Sequence, residues 1–198
     1  MHVIGLTGGV GSGKTVAAHM LAEILGAELL ISDELGHIVM QKGQEGYRRI
    51  IQTFGTEILD GQGEIVRERL SKVVFGDTEA LNRLNQIIHP AVKQYIRDQL
   101  AVKKQQGQKV CVVEAALLLE DHYDEICDEL WYIFTAEEIR KERLMESRGY
   151  SEEKIQHIFE SQLKEEIYRK YCKTVIDNNG DLNKTYGQID KAFERLMQ

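Results

Sequence analysis

The sequence predicts an α/β fold: a doubly wound, parallel, five-stranded sheet carrying helical insertions. Three observations lead there. Five short apolar runs recur along the chain, at 2–7, 27–31, 110–113, 130–134 and 173–176, and continuous apolar runs suit parallel strands covered on both faces. Segments of helical periodicity separate the runs, the order that winds a parallel sheet. The first run passes directly into a turn crowded with Gly5, Gly8, Gly9, Gly11 and Gly13, and then into a helix.

The elements follow in order. "HVIGLT" reads as a short buried strand. The next helix is predicted from Lys14 to about Leu25, with Val16, Met20, Leu21 and Ile24 on its buried face and Gly26 as its stop. "AELLI" is the second strand. Asp77 suits the cap of a helix carrying Leu81, Leu84, Ile87 and Ile88, a stripe that continues through Val92, Tyr95, Ile96 and Leu100. Pro90, the only proline, predicts an end or a kink near His89. "VCVV" and "LWYIF" are the third and fourth strands. Thr135 and Glu138 stand in a capping-box relation, and Ser151 with Glu152 and Glu153 restarts a helix. "KTVI" is the fifth strand. The expected organisation is a core of 1–34, 109–134 and 171–198, a helical subdomain over 35–108, and a second helical insertion over 135–170.

Composition narrows the function. The chain has 198 residues, 42% hydrophobic and 29% charged, ordinary values for a globular protein of one domain or one domain with an insertion. Lys and Arg number 25 against 32 Asp and Glu, a net charge of −7. A generic grip on nucleic acid needs clustered cations, so no nucleic-acid partner is expected. The longest apolar runs have five residues, whereas a membrane-spanning helix needs about 20. No basic stretch followed by an apolar one and a cleavage site opens the sequence, so no secretory signal is expected. Cys111, Cys127 and Cys172 are odd in number and far apart, matching neither a disulfide framework nor a zinc spacing. They read as reduced thiols of a cytoplasmic protein.

The strongest signal is "GGVGSGKT". Gly8, Gly13, Lys14 and Thr15 fit G-x-x-x-x-G-K-[ST], with a strand before and a helix after, the context this phosphate-binding loop requires. Gly9, Gly11, Ser12 and Gly13 let the backbone aim N–H groups at phosphate oxygens. The helix start, through Val16, adds its positive dipole end. Lys14 can neutralise the β and γ phosphates, and Thr15 can give its hydroxyl to Mg²⁺. The loop thus calls for ATP or a similar triphosphate with Mg²⁺. No N-K-x-D string points to a GTPase. A helical insertion after the second strand points to a small-molecule kinase.

Other candidates are less self-sufficient. Asp33 follows the second strand, where ligands of open α/β sheets bind. A carboxylate there can take the proton of an attacking hydroxyl, and it fits a helix cap equally well. Glu114 ends the third strand and suits either a Mg²⁺ partner or a brace for the phosphate loop. Arg140, Arg143 and Arg148 follow the fourth strand, where arginines can close over a triphosphate. Arg143 and Arg148 are favoured over Arg140, and a solvated, salt-bridged helix face is the alternative. His89 reads as a cap or packing residue before it reads as a functional one. Asn178 to Gly180, in "VIDNNGD", suit a tight turn whose backbone could read an adenine edge.

In joint order and spacing these strings resemble the dephospho-CoA kinase family over essentially the whole chain. "IGLTGGVGSGKT" matches the family's phosphate loop and "SDELGHIV" part of its D-A-D segment. "FGTEILDGQGEIVRERLSKVVFGDTEALNRLNQIIHPAV" matches its substrate-domain stretch, "ERLMESRGYSEE" its lid and "VIDNNGD" its C-terminal D-N-x-G. The resemblance implies a fold of P-loop kinase type and ATP-dependent phosphorylation of the ribose 3′-hydroxyl of dephospho-CoA, the last step of coenzyme A synthesis. It implies Asp33 as the catalytic carboxylate, Lys14 and Arg143 as stabilisers of the transferred charge, and Arg148, Asn178 and Gly180 near ATP. His89 and Glu114 fall on the substrate side, 35–108 becomes the CoA-binding subdomain, and 135–170 the lid. The implied enzyme is a monomer or weak homo-oligomer that closes around both substrates. The chain departs from the family pattern at Ile31, His37, Glu114, Ala116 and Lys164, on the acceptor side and the lid, and keeps the core catalytic set. Two other readings stay open on the residues: a kinase of another nucleoside-like acceptor, and an ATP-binding regulatory protein.

Overall fold

The computed structural model describes residues 1–196. The elements run β1 (His2–Thr7), α1 (Lys14–Leu25), β2 (Glu28–Ile31), α2 (Ser32–Val39), α3 (Glu45–Phe54), α4 (Arg67–Val74), α5 (Thr78–Gln105), β3 (Val110–Glu114), β4 (Glu129–Phe134), α6 (Glu137–Arg148), α7 (Glu152–Ser161), α8 (Glu165–Tyr171), β5 (Thr174–Asp177) and α9 (Leu182–Leu196). The strands lie in the order β2-β3-β1-β4-β5, and every pair is parallel. Leu6 and Ile31 both stand opposite Glu114, and Thr7 stands opposite Tyr132. The carboxyl ends of four strands therefore share one edge, and the loops after them emerge together.

Alternation along the strands explains the two covered faces. Ile4, Leu6, Val112, Trp131, Ile133 and Ile176 pack against Ala17, Ala18 and Leu21 of α1 and Ile189 of α9. Each such large apolar side chain contributes about 1.5–3 kcal/mol by burial. Tyr132, between Trp131 and Ile133, points to the opposite face, where its ring stacks on Tyr168 of α8 at 4.8 Å. Helices on both faces make the sheet doubly wound, as predicted. Among the described residues no helix is long and apolar enough to cross a membrane.

The chain forms two compact units: Met1–Ile31 together with the chain from Lys103 on, and Ser32–Val102. The second unit has its own core of Ile50, Ile58, Leu70, Leu84 and Ile87. Its 60–64 turn is tied by Asp60, whose carboxylate accepts the N–H groups of Gln62 and Glu64 at 2.8 and 2.9 Å. Those bonds hold the Asp60 carboxyl below the usual range.

Several local expectations hold. Gly26 closes α1 with φ 56°. Asp77 accepts the Ala80 N–H at 2.9 Å, and Ser151 the Lys154 N–H at 3.3 Å. Others do not. Of the end or kink expected at Pro90, the end is absent: Pro90 lies inside α5, which runs on from Thr78 to Gln105. Proline removes one backbone bond, but Leu84 and Ile87 before it and Val92 and Ile96 after it are all buried, so packing on both sides carries the helix through. The capping box at Thr135 and Glu138 does not form. Ala136 is the N-cap of α6, with no side-chain cap, and the Thr135 hydroxyl turns inward to backbone carbonyls. Val16 and Leu81 are exposed. In α1 the buried face holds Leu21 as expected but takes Ala17 and Ala18 in place of Val16, and in α5 Leu84, Ile87, Val92, Ile96 and Leu100 are buried as expected, with Ala80 in place of Leu81.

Candidate active site

The loop between β1 and α1 is shaped by close approach. A side chain at residue 8 would meet the Ile133 carbonyl oxygen at 2.7 Å, and one at residue 9 would meet the Arg140 guanidinium at 1.6 Å. Gly13 sits at φ 79°, where L side chains are strained, and one there would meet Asn178 Nδ2 at 2.5 Å. Gly11 packs over the Arg140 carbonyl and Leu144 of α6. Gly13 is also the N-cap of α1. It supplies no side-chain cap, and the first turn of α1, which holds Val16, carries no acidic residue. The N–H groups at this helix start thus keep free donors and a positive field for an anion.

A set of hydrogen bonds around Asn178 braces the loop from behind. The Ser12 carbonyl accepts from Asn178 Nδ2 at 2.7 Å and from the Thr135 hydroxyl at 3.0 Å. Thr185 donates to Asn178 Oδ1 at 2.7 Å, and Arg143 Nη2 donates to the Asn178 carbonyl at 2.9 Å. The Ala136 N–H adds a bond to Asn179 Oδ1 at 2.7 Å. Ser12, Thr135, Asn178 and Thr185 are all buried, and buried bonds of this kind are expensive to leave unmade. Asn178 therefore serves as a structural knot that ties the turn after β5 to the phosphate loop, and it places Arg143 beside Gly13. Gly180 lies exposed in the same turn.

The charged pair sits at the strand ends. Lys14 Nζ lies 3.8 Å from Glu114 Oε1, with both side chains largely buried. Thr15 donates to Glu114 Oε2 at 3.4 Å. Glu114 thus braces the loop lysine and hydroxyl while offering a carboxylate oxygen to a hard cation. From the far side, Gln162, at the end of α7, accepts the Val10 N–H at 3.3 Å. The hydroxyls of Thr7 and Ser12 are buried without a partner.

The other predicted residues fall as follows. Asp33 and His89 belong to the second unit. Asp33 is exposed in the first turn of α2, two residues beyond the end of β2, inside the helix rather than at its cap. His37 lies exposed one turn further, and His89 is half-buried within α5. Arg148 ends α6, exposed, with its guanidinium 5.9 Å from the Tyr150 ring centre. With Lys154 it lowers the pKa of the Tyr150 phenol. Lys164 precedes α8 as its N-cap residue.

Of three residues that the loop uses, sequence reasoning ranked one below its neighbours, read another as a helix cap and gave the third no role. Arg140 is buried against Gly9, Thr135 bonds the loop carbonyl, and Gln162 bonds the Val10 N–H. The available signal for Arg140 was its place one turn before Arg143 on the same helix. For Gln162 it was its place in the 135–170 insertion, two residues before Lys164.

Comparison with known proteins gives a concordant picture. A family model described as dephospho-CoA kinase matches residues 2–184. A dephospho-CoA kinase of Aquifex aeolicus is 38% identical over 198 residues, covering 100% of this chain and 99% of that one. A solved structure from Thermus thermophilus superposes with a TM-score of 0.79 at 26% identity, covering 100% of this chain and 98% of the other. A dephospho-CoA kinase from Campylobacter jejuni superposes with a TM-score of 0.71 at 21% identity, covering 98% and 96%.

Proposed function

The chain belongs to the dephospho-CoA kinase family, and we propose on that premise how its own residues carry the transfer. The enzyme phosphorylates the ribose 3′-hydroxyl of dephospho-CoA at the expense of ATP, giving coenzyme A and ADP. The observation that carries the residue assignment is the braced loop: Lys14 and Thr15 gathered on Glu114, with the uncapped start of α1 beside them.

In this reading the N–H groups of Gly9, Gly11, Ser12, Gly13, Lys14, Thr15 and Val16 cradle the triphosphate. Lys14 neutralises charge on the β and γ phosphates, and Arg143, held on the Asn178 carbonyl, adds a second cation near Gly13. Asp33 accepts the proton of the attacking 3′-hydroxyl. Its place just beyond a strand's carboxyl end and its exposure support that role. Arg148 and the Asn178–Gly180 turn contribute to the nucleotide side, and His89 to the acceptor side. Little covalent chemistry is asked of the protein, so positioning and charge neutralisation supply most of the acceleration.

The oxygen donors of Thr15 and Glu114 suit Mg²⁺. Bound with ATP and held by these residues, the cation would neutralise phosphate oxygens during transfer. We place the enzyme in the cytoplasm as a monomer or weak homo-oligomer. Three cysteines without a disulfide framework support a reducing compartment.

The test is a product assay. The protein, Mg²⁺, ATP and dephospho-CoA are mixed and the products identified by mass spectrometry, with adenosine and nucleoside monophosphates as parallel acceptors. Coenzyme A from dephospho-CoA alone is expected, and Asp33→Asn should abolish nearly all of it. Phosphorylation of another acceptor, or turnover unchanged in Asp33→Asn, would overturn the assignment.

A further inference from the structure

Three cations stand near the phosphate loop, and they differ in what partners them. Lys14 has the Glu114 carboxylate at 3.8 Å, and Arg143 has the Asn178 carbonyl at 2.9 Å. Arg140 has neither. Its side chain is buried, at 8% exposure, and its Nε has no hydrogen-bond partner. Among the described residues no carboxylate lies within ion-pair distance of it. The ring of Phe159 packs against it, with its centre 4.1 Å from the guanidinium carbon. Burial pulls its pKa below the usual arginine range, and Glu137 only partly opposes that.

A buried guanidinium without a counter-ion costs stability. Nothing in the packing asks for the charge, since a methionine of similar length would fill the same space against Phe159. Glu137 acts on the charge only from beyond ion-pair distance, so the guanidinium keeps donors for a ligand. Two features bear on which ligand. The guanidinium lies directly on Gly9, so tightly that a Cβ there would fall 1.6 Å from Nη1. Gly9 is the second residue of a loop whose purpose is to hold phosphate. Arg140 also lines a cavity of about 470 Å³, which it shares with Gln162, Lys164, Phe159 and Tyr168 and with the carboxylates of Glu137, Glu160 and Glu165. Lys164 is a second cation, and Gln162 also touches the loop through the Val10 N–H.

We propose that Arg140 is a phosphate-contacting residue of the transfer: its guanidinium meets phosphoryl oxygens that a substrate brings against Gly9. The inference rests on the kinase reading above and adds to it a cation that the sequence ranked below Arg143 and Arg148. The planar fork of an arginine suits phosphoryl oxygens bidentately. Two sources offer that chemistry here, the γ-phosphate of ATP and the phosphates of the acceptor.

The test compares Arg140→Met and Arg140→Lys with the unmodified enzyme. The readouts are steady-state kinetics in each substrate, calorimetric titration with ATP and with ADP, and thermal melting. Arg140→Met is expected to lose about a hundredfold in kcat/KM, the scale of one deleted charge-stabilising donor, with a melting temperature equal or higher. Arg140→Lys should recover part of the loss. If the partner is the γ-phosphate, Arg140→Met loses the preference for ATP over ADP. If it is an acceptor phosphate, the KM for dephospho-CoA rises while ATP binding stays. Either result supports the proposal. It is overturned if Arg140→Met keeps kcat/KM within about twofold, or if activity falls only in step with the melting temperature, as for a packing residue. An unmodified enzyme that made no coenzyme A would instead sink the kinase reading. The ATP and ADP titrations would still decide whether Arg140 meets phosphate.

Discussion

Ser12, in the phosphate loop, is held by direction. Its carbonyl takes a bond from Asn178 at 2.7 Å and another from Thr135 at 3.0 Å, and neither donor could be replaced by carbon. Ile50, at the centre of the helical unit, is held by volume, fully buried among Ile58, Leu70, Leu84 and Ile87 with no polar constraint on its side chain. The contrast teaches where function and stability part. A directional network tolerates almost no change of residue type but fixes atoms closely, as catalysis requires. An apolar cluster tolerates shape-conserving swaps and supplies most of the folding free energy.

The contrast can be broken or sharpened by measurement. The largest expected effect is on the directional side. Lys14→Met should cut kcat by about a thousandfold, against a smaller loss of stability from the buried Glu114 carboxylate that loses its lysine. A comparable loss of stability would mean that the lysine serves the fold through Glu114. Next comes the apolar side. Ile50→Ala should destabilise the protein by about 2–5 kcal/mol, read by denaturant or thermal unfolding, while the core keeps its ATP affinity under folding conditions. Loss of ATP binding in parallel would show that the two units do not separate energetically. Asn178→Ala lies between the two kinds of effect. Removing the knot leaves the Thr185 hydroxyl and the Ser12 carbonyl short of partners, at a cost of about 1–3 kcal/mol. Misplacement of the loop and of Arg143 should also raise the KM for ATP about tenfold.

The smallest effect is a slope with pH. Burial pushes the Cys172 thiol from 9.0 up to about 12 and the Tyr168 phenol from 10.0 up to about 12. Both are raised in the folded state, so their contribution to stability is complete below pH 9 and is lost as the pH climbs toward 12. Unfolding midpoints should fall over that window, and Cys172→Ala should flatten part of the fall. A midpoint that stayed level from pH 9 to 11 would contradict the burial of these groups.

Much of this architecture was legible in the chain because its demands are local. A strand covered on both faces must be apolar at every position, so the five runs announced a parallel sheet. The phosphate loop needs glycine where φ is positive, as at Gly13, or where another backbone leaves no room for a Cβ, as at Gly8, so its residue types could be read without a fold. Caps such as Asp77 and Ser151 act within three residues and were legible for the same reason.

What tertiary structure decided is the choice among equals. Arg140, Arg143 and Arg148 share one short helix and one chemistry. Only packing sets the first on Gly9, the second on Asn178 and the third against Tyr150. Thr135 looked like a cap because its neighbours in sequence allowed it, yet its hydroxyl serves a carbonyl 123 residues away. Asn178 looked like a turn residue, and its amide reaches Ser12 across 166 residues. Pro90 reads as a break until packing on both sides carries the helix through it. By itself the sequence determined the sheet, the phosphate loop and the family pattern, because short-range backbone and burial rules choose residue types directly. The identity of each cation's partner belongs to the fold, because a side chain's partner is whatever the folded chain brings within about 3 Å of it.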